Sequence, residues 1–261
     1  MAGPTTPTTP QLFDMGGKVA VVTGGGRGIG EGIAHSLAEA GASIVVAARR
    51  TDEIEKVAAD IVAAGGQATA VATDVTDSDA LEALAQSAVD TYGRLDTWVN
   101  NAGGSPARMK LDKLPREEWD NTISLNLTAV YVASVTAARK METGSIINIS
   151  SGAGFGAIPK SAHYGAAKAG VHSLTYSLAA ELAPRVRVNC VAPGAIPTEI
   201  MMQALDLDEE SVEGLVDAWQ IPMGRLGTPQ DIGAACLYFA SDASSWVTGQ
   251  VIQVSGAPSR R

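Results

Sequence analysis

The sequence predicts an α/β fold: a doubly wound parallel sheet in a single domain. Three observations carry that expectation. From residue 18 onward, short runs rich in Val, Ile and Ala alternate with longer amphipathic stretches, the pattern of parallel strands joined by crossover helices. The short runs are continuously apolar rather than alternating, as expected of strands covered on both faces. A Gly-rich stretch from Thr23 to Gly30 lies between the first such strand and the first helix, where a doubly wound sheet places its phosphate-binding turn.

Each element follows in order. Residues 18–22 form the first strand, and the Gly-rich turn leads into a helix ending at Ala40, with Gly41 as its cap. Residues 43–47 are the second strand, and Thr51 caps a helix that runs to Gly65 and Gly66. The third strand is 68–72, followed by a helix capped by Asp77 or Ser78 and ended by Gly93. Residues 96–99 make a fourth strand, 115–138 a long helix, and 145–149 a fifth strand. A helix over 162–183 is stopped by Pro184, strand six covers 186–191, and a helix over 229–240 precedes the last strand, 250–254. No repeat or linker divides residues 15–261, and α/β folds of this length are commonly one domain. Residues 1–14 are Pro/Thr-rich and are expected to be a disordered tail. They lack the basic region and apolar core of a secretory signal.

Composition narrows the function classes. Apolar residues are 46% of the 261, enough for a large core, while charged residues are 18%, below the usual ~25%. Apolar surface is therefore expected to be covered by identical subunits. A net charge of −9 argues against a nucleic-acid or anionic-membrane surface. No apolar run approaches the ~18–20 residues of a membrane span. Cys190 and Cys236 both sit in apolar segments, as buried reduced thiols would, and a cytoplasmic address is expected.

The Gly24, Gly28 and Gly30 pattern, with Arg27 and Ile29 between, fits a turn that brings backbone amides and a helix N-terminus onto a pyrophosphate. The second strand ends Ala47-Ala48-Arg49-Arg50, without the carboxylate that often holds ribose hydroxyls. Guanidinium groups there, with Arg27, suit a 2′-phosphate, so NADP(H) is expected over NAD(H). The alternative is that Arg49 and Arg50 merely solvate a helix start. Asp74-Val75 ends strand three; its carboxylate either accepts from an adenine amino group or caps the next helix. Asn100-Asn101-Ala102-Gly103 ends strand four, either as a site of close cofactor approach or as a simple turn.

Ser150-Ser151 follows strand five, and Tyr164 and Lys168 lie four apart on one helix face. A cation beside a phenol is expected to lower its pKa from ~10, which suits a general acid/base.

With these motifs in place, the sequence resembles the short-chain dehydrogenase/reductase family over about residues 15–256. The matching positions are Thr23-Gly24-x3-Gly28-x-Gly30, Asn100 to Gly103, Asn126, Ser151, Tyr164-x3-Lys168 and Pro193-Gly194. The resemblance implies a Rossmann-type seven-stranded sheet, a homotetramer, and hydride transfer between nicotinamide and a ketone or secondary alcohol. It implies Tyr164 as general acid/base, Ser151 orienting the reacting oxygen, and Lys168 holding the nicotinamide ribose. Asn126 would interrupt the long helix and hold a proton-relaying water. Cofactor contacts are implied at Gly24, Arg27, Gly28, Ile29, Gly30, Arg49, Asp74, Val75, Asn101 and Gly103. Further contacts are implied at Tyr164, Lys168, Pro193, Gly194, Ile196 and Thr198. Ser150 competes for the serine role, but successive strand residues face opposite sides and the family spacing of thirteen selects Ser151.

Val254-Ser255-Gly256 replaces the family's frequent Asp-Gly-Gly ending; with residues 222–231 and 243–249 it resembles bacterial hydroxysteroid dehydrogenases, although the latter two stretches equally resemble 3-oxoacyl-carrier-protein reductases and sugar dehydrogenases. A substrate lid is expected over about 195–220, carrying Met201, Met202, Leu205, Leu207, Leu215, Val216 and Trp219, with Ile221 just beyond. Such residues suit an apolar substrate or pack two short helices. His163 and His172 lack partners at ligand spacing, and no metal is expected. The expected function is an NADP(H)-dependent carbonyl reductase or alcohol dehydrogenase. The alternatives are a 3-oxoacyl thioester reductase, for which a basic carrier-docking patch would be expected, and a non-catalytic nucleotide-sensing regulator.

Overall fold

The computed structural model describes residues 7–105, 107–208, 211–212 and 214–256. The apolar runs become Val19–Thr23 (β1), Ser43–Ala48 (β2), Gln67–Ala72 (β3), Thr97–Asn100 (β4), Gly144–Ile149 (β5), Val186–Pro193 (β6) and Val251–Val254 (β7). They form one seven-stranded sheet in the order β3-β2-β1-β4-β5-β6-β7, every neighbouring pair parallel. After β3 the chain crosses back to the other side of β1, so the order reverses between β1 and β4. In such sheets the crevice at the strands' carboxyl ends beside that reversal is the binding site.

The helices are Thr9–Leu12 (α1), Gly28–Glu39 (α2), Thr51–Ala63 (α3), Ser78–Tyr92 (α4), Arg116–Ile123 (α5) and Ala129–Lys140 (α6). Ala162–Leu182 (α7), Glu199–Leu205 (α8), Leu215–Ala218 (α9) and Pro229–Ala240 (α10) follow. The period of two along a strand divides the core. Ala20 and Val22 of β1 and Ile44 and Val46 of β2 pack with Ile33, Leu37, Ile54, Ile61 and Phe239 of α2, α3 and α10. Val19, Val21, Val45 and Ala47 face Leu81, Leu84, Ala133 and Leu178 of α4, α6 and α7. The central strands are buried throughout, as expected. By contrast β3 and β7, at the two edges, are only partly buried.

The helix read over 115–138 is interrupted around Asn126, as the resemblance implied: α5 and α6 are joined by a π-turn over Ser124–Thr128. In that turn the Asn126 side chain bonds backbone groups, as described below. Within the segment read as a disordered tail, residues 1–6 lie outside the described residues, but Thr9–Leu12 is helical with a Thr8/Gln11 capping box. The Phe13 ring lies 6.4 Å from Tyr238 and Met15 is buried. These apolar side chains give the end of the segment something to pack with, which Pro and Thr alone could not. Among the described residues no helix is long and apolar enough to cross a membrane.

Candidate active site

The carboxyl ends of β1, β2, β4, β5 and β6 open into one cleft of about 1610 Å³. Pockets that hold one drug-sized ligand are roughly 300–1,000 Å³, so the cleft has room for a dinucleotide and a second molecule. All the residues singled out as cofactor contacts line it, as do Ser151, Tyr164 and Lys168. Asn126 does not.

At one end the Gly-rich turn enters α2. Gly24 and Gly28 adopt φ of +63° and +56°, the left-handed region glycine tolerates best. A Cβ on Gly30 would lie 2.1 Å from the Gly24 carbonyl oxygen, so the turn closes on itself only with glycine there. Arg27, at the cap position of α2, makes no side-chain bond to the first-turn amides. Those amides and the helix dipole are therefore left for an anion at the cleft floor. Asn101 fastens the turn to β4, its Nδ2 donating to the carbonyls of Thr23 (2.9 Å) and Gly24 (3.1 Å).

The arginines are not equivalent. Arg50 pairs with Glu53 at 3.0 Å, and Arg27 lies 4.0 Å from Glu53 and forms an ion pair with Glu199 of α8. Arg49, exposed on the cleft wall, has no ion-pair partner among the described residues. The carboxylates of Glu53 and Glu199 were not foreseen, because neither lies in a motif. Asp74 accepts from the Thr76 N–H (2.9 Å) and hydroxyl (2.7 Å). These bonds, with a smaller contribution from Arg49, hold its carboxyl below the usual value. The cap of α4 is Asp77, which accepts from Asp79 and Ala80. Asp74 is thus a cleft residue and not the helix cap.

At the other end Ser151 caps the 3-10 turn Gly152–Phe155, its Oγ accepting from the Ala153 N–H at 3.1 Å. Its hydroxyl also hydrogen-bonds Tyr164. Tyr164 and Lys168 share a face of α7, with Lys168 Nζ 5.6 Å from the Tyr164 ring centroid and donating to the Ile149 carbonyl at 3.0 Å. Burial raises the Tyr164 phenol above its usual 10, and the hydrogen bond with Ser151 only partly opposes this. The sequence reading expected Lys168 to lower that pKa; here burial raises it, and the opposing effect comes from Ser151. Burial also takes Lys168 down to about 8. At neutral pH Tyr164 therefore holds a proton that it can give.

Asn126 is fully buried. Its Nδ2 donates to the carbonyls of Thr122 and Gly104, each at 3.0 Å, and its Oδ1 accepts from the Gly104 N–H at 2.8 Å. It fixes the Gly103–Gly104 backbone beside Lys168 and keeps one Oδ1 lone pair in hand. Ser150 faces away from Tyr164: its Oγ is 2.7 Å from His172 Nε2 and donates to the Lys168 carbonyl at 3.2 Å. Of the residues expected in the lid, Met201, Leu205 and Trp219 line the cleft, with Ile221, and Leu215 is buried packing. Met202, Leu207 and Val216 are not on the cleft wall.

Beneath the site runs a buried polar chain the motifs did not disclose. Trp98 Nε1 donates to Asn100 Oδ1 at 2.8 Å, and Asn100 Nδ2 donates to Ser134 Oγ and Asn148 Oδ1, each at 2.9 Å. Asn148 Nδ2 donates to Thr175 Oγ1 at 3.0 Å. The chain ties β4, β5, α6 and α7 together. Its one sequence signal is an asparagine in each of two apolar strands, Asn100 at the end of β4 and Asn148 within β5, paired across the sheet.

Comparison with known proteins agrees with this geometry. The family model described as Enoyl-(Acyl carrier protein) reductase matches residues 24–256. The 3-oxoacyl-(acyl-carrier-protein) reductase FabG of Chlamydia muridarum is 38% identical over 245 residues, 92% of this chain and 96% of that protein. A 7 alpha-hydroxysteroid dehydrogenase solved with NADH and 7-oxo glycochenodeoxycholic acid superposes with a TM-score of 0.89 at 34% identity, covering 98% of this chain and 99% of that one. A structure described as an NAD(P)-dependent gluconate 5-dehydrogenase of Beutenbergia cavernae, with bound NADP at low occupancy, gives 0.86 at 36% identity, covering 94% and 98%. The chain belongs to the short-chain dehydrogenase/reductase family, oxidoreductases that act on ketone or alcohol groups with a nicotinamide cofactor.

Proposed function

We propose that this protein is an NADP(H)-dependent reductase of ketones, or dehydrogenase of the matching secondary alcohols, acting on a largely apolar substrate. The observation that carries the reading is the placement of Ser151, Tyr164 and Lys168 at one end of a cleft whose other end is the Gly-rich turn. A nicotinamide dinucleotide supplies or accepts the hydride when bound. The chain's own residues do the rest. The α2 amides hold the pyrophosphate, Asp74 and Val75 meet the adenine, and Lys168 holds the nicotinamide ribose. Gly103, Pro193, Gly194, Ile196 and Thr198 confine the nicotinamide end. Ser151 donates a hydrogen bond to the reacting oxygen, and Tyr164 gives that oxygen its proton in reduction or removes it in oxidation. Asn126, holding the loop next to Lys168, orients the path by which the proton is replaced.

The NADP(H) preference rests on Arg49. Relatives differ on this point, one solved with NADH and another with NADP. Here Glu53 and Glu199 already engage Arg27 and Arg50, which leaves Arg49 to meet a 2′-phosphate. NADPH should bind at least about tenfold more tightly than NADH, ~1.4 kcal/mol, and Arg49→Asp should narrow or invert that ratio. Equal binding of the two by the unmodified protein would overturn the preference. A 3-oxoacyl thioester substrate is the second reading, supported by the similarity to FabG. A panel of ketones and 3-oxoacyl thioesters, followed by the absorbance of reduced nicotinamide with each cofactor, tests both.

The same reading includes a homotetramer in the cytoplasm. Tyr131 on α6 and Tyr176 on α7 are about half exposed, and Trp246 almost wholly so; a closed assembly would cover such side chains. Cys190 and Cys236 are free buried thiols, consistent with a reducing compartment. A monomer mass by light scattering at micromolar concentration would contradict the tetramer.

A further inference from the structure

The outer wall of the cleft, on the Ser151–Tyr164 side, is built from two loop segments, residues 107–114 and 156–161, with Ser105. The Met109 N–H donates to the Lys160 carbonyl at 2.8 Å, and Arg108 Nη2 donates to the Pro159 carbonyl at 3.3 Å. Ser105, Arg108, Ile158 and Pro159 line the same cleft as the reacting groups. These two loops carry Arg108, Lys110, Lys113 and Lys160 against one acid, Asp112, in a chain whose net charge is −9.

Arg27, Arg50, Lys56, Arg94, Arg116, Lys140 and Arg225 each have a carboxylate within 4.0 Å. Among the described residues, Arg108, Lys110, Lys113 and Lys160 have none. Lys18, Arg49, Arg139, Lys168, Arg185 and Arg187 also lack a carboxylate within 4.0 Å among the described residues; what sets these two loops apart is that they carry four such cations between them. With acids in excess, leaving four neighbouring cations unpaired creates a local positive field at the cleft mouth. Arg108 is the one that reaches the wall, and its planar fork matches a carboxylate or phosphate. The cleft lining also includes the apolar side chains of Met201, Leu205, Trp219 and Ile221.

We propose that the substrate is a ketone whose apolar body ends in an anionic group, carboxylate or phosphate, and that Arg108 is the specificity-determining residue that binds that end. Lys110, Lys113 and Lys160 supply the field that draws it in. The proposal rests on the oxidoreductase reading above and narrows its substrate class.

The test compares matched pairs with NADPH: methyl-ketone carboxylic acids of graded length against their methyl esters, and 3-oxobutanoyl-coenzyme A against its neutral N-acetylcysteamine thioester. The first pair reads a carboxylate and the second a phosphate-bearing thioester. In the pair that matches, the anionic member should be favoured by about tenfold or more in kcat/KM, the effect of one charge-assisted bond. The advantage should lie in KM and shrink as salt is added. Arg108→Gln should remove it, leaving turnover of the neutral member and the Kd for NADPH unchanged, and Arg108→Lys should restore part of it. Equal use of both members of each pair, or equal loss on both with Arg108→Gln, would overturn the proposal while leaving the oxidoreductase reading intact. If no ketone or thioester is reduced at all, the oxidoreductase reading fails and takes this proposal with it. An anionic preference seen only with the coenzyme A thioester, and insensitive to Arg108, would overturn it in favour of phosphate recognition elsewhere on the protein.

Discussion

The floor of the cleft and its outer rim are built on opposite principles. Under the floor, Trp98, Asn100, Ser134, Asn148 and Thr175 form a continuous hydrogen-bonded chain across two strands and two helices, every link at 3.0 Å or less. At the rim Arg108 hangs from one carbonyl at 3.3 Å and three lysines have no carboxylate beside them among the described residues. Proton transfer tolerates little misplacement, so the groups proposed to perform it sit on elements locked from below. Recognition of a substrate's far end, as proposed for Arg108, tolerates more and would rest on loops carried by that scaffold.

The sharpest way to break this contrast is Lys168, because the floor holds a buried cation there. Burial lowers its pKa from 10.5 to about 8, so between those values the unfolded chain keeps a proton the folded chain has released. The cost to stability is therefore complete below pH 8 and fades as pH rises through 10.5. Lys168→Met should cut turnover by roughly 10²–10⁴ yet stabilise the fold at pH 7 by up to about 3 kcal/mol. Urea unfolding should find that gain shrinking toward pH 10.5. A gain that did not depend on pH would contradict the buried charge.

Next in size is the serine pair. Ser151→Ala should lower kcat by about 10², the effect of removing one donor aimed at the reacting oxygen. Ser150→Ala should leave most turnover and cost stability instead, about 1 kcal/mol, since its hydroxyl serves His172 and the Lys168 carbonyl. Kinetics and unfolding measured on both variants separate the two roles; similar kcat losses would contradict the opposed facing of these residues. Asn148→Ala should destabilise by about 2 kcal/mol, because it strands Asn100 and Thr175 without partners. A loss within the error of urea unfolding would mean the chain beneath the floor holds nothing together.

Much of this was legible in the sequence because strand order and cleft position follow from local patterns. The alternation of apolar runs and helices gave the sheet, and Gly24, Gly28, Gly30, Ser151, Tyr164 and Lys168 all stand where their spacing put them. What could not be read depends on contacts distant in sequence. Asn100 and Asn148 are 48 residues apart, and nothing local marks them as partners. Glu199 meets Arg27 only because α8 folds over the Gly-rich turn. The sign of the Tyr164 shift was missed for a similar reason: spacing shows a neighbouring cation, whereas burial is a property of the finished fold. The helix break at Asn126 was expected, but its bonds to Gly104 required the structure.

The central claim is that Tyr164 gives its proton to a carbonyl oxygen as hydride arrives. The variant Tyr164→Phe keeps the ring and its packing but has no proton to transfer. Its kcat should fall by roughly 10²–10⁴ on every ketone the unmodified protein reduces, while the Kd for NADPH, read from nucleotide fluorescence, stays the same. Retention of more than about half the turnover, with NADPH still bound, would show that the proton comes from elsewhere.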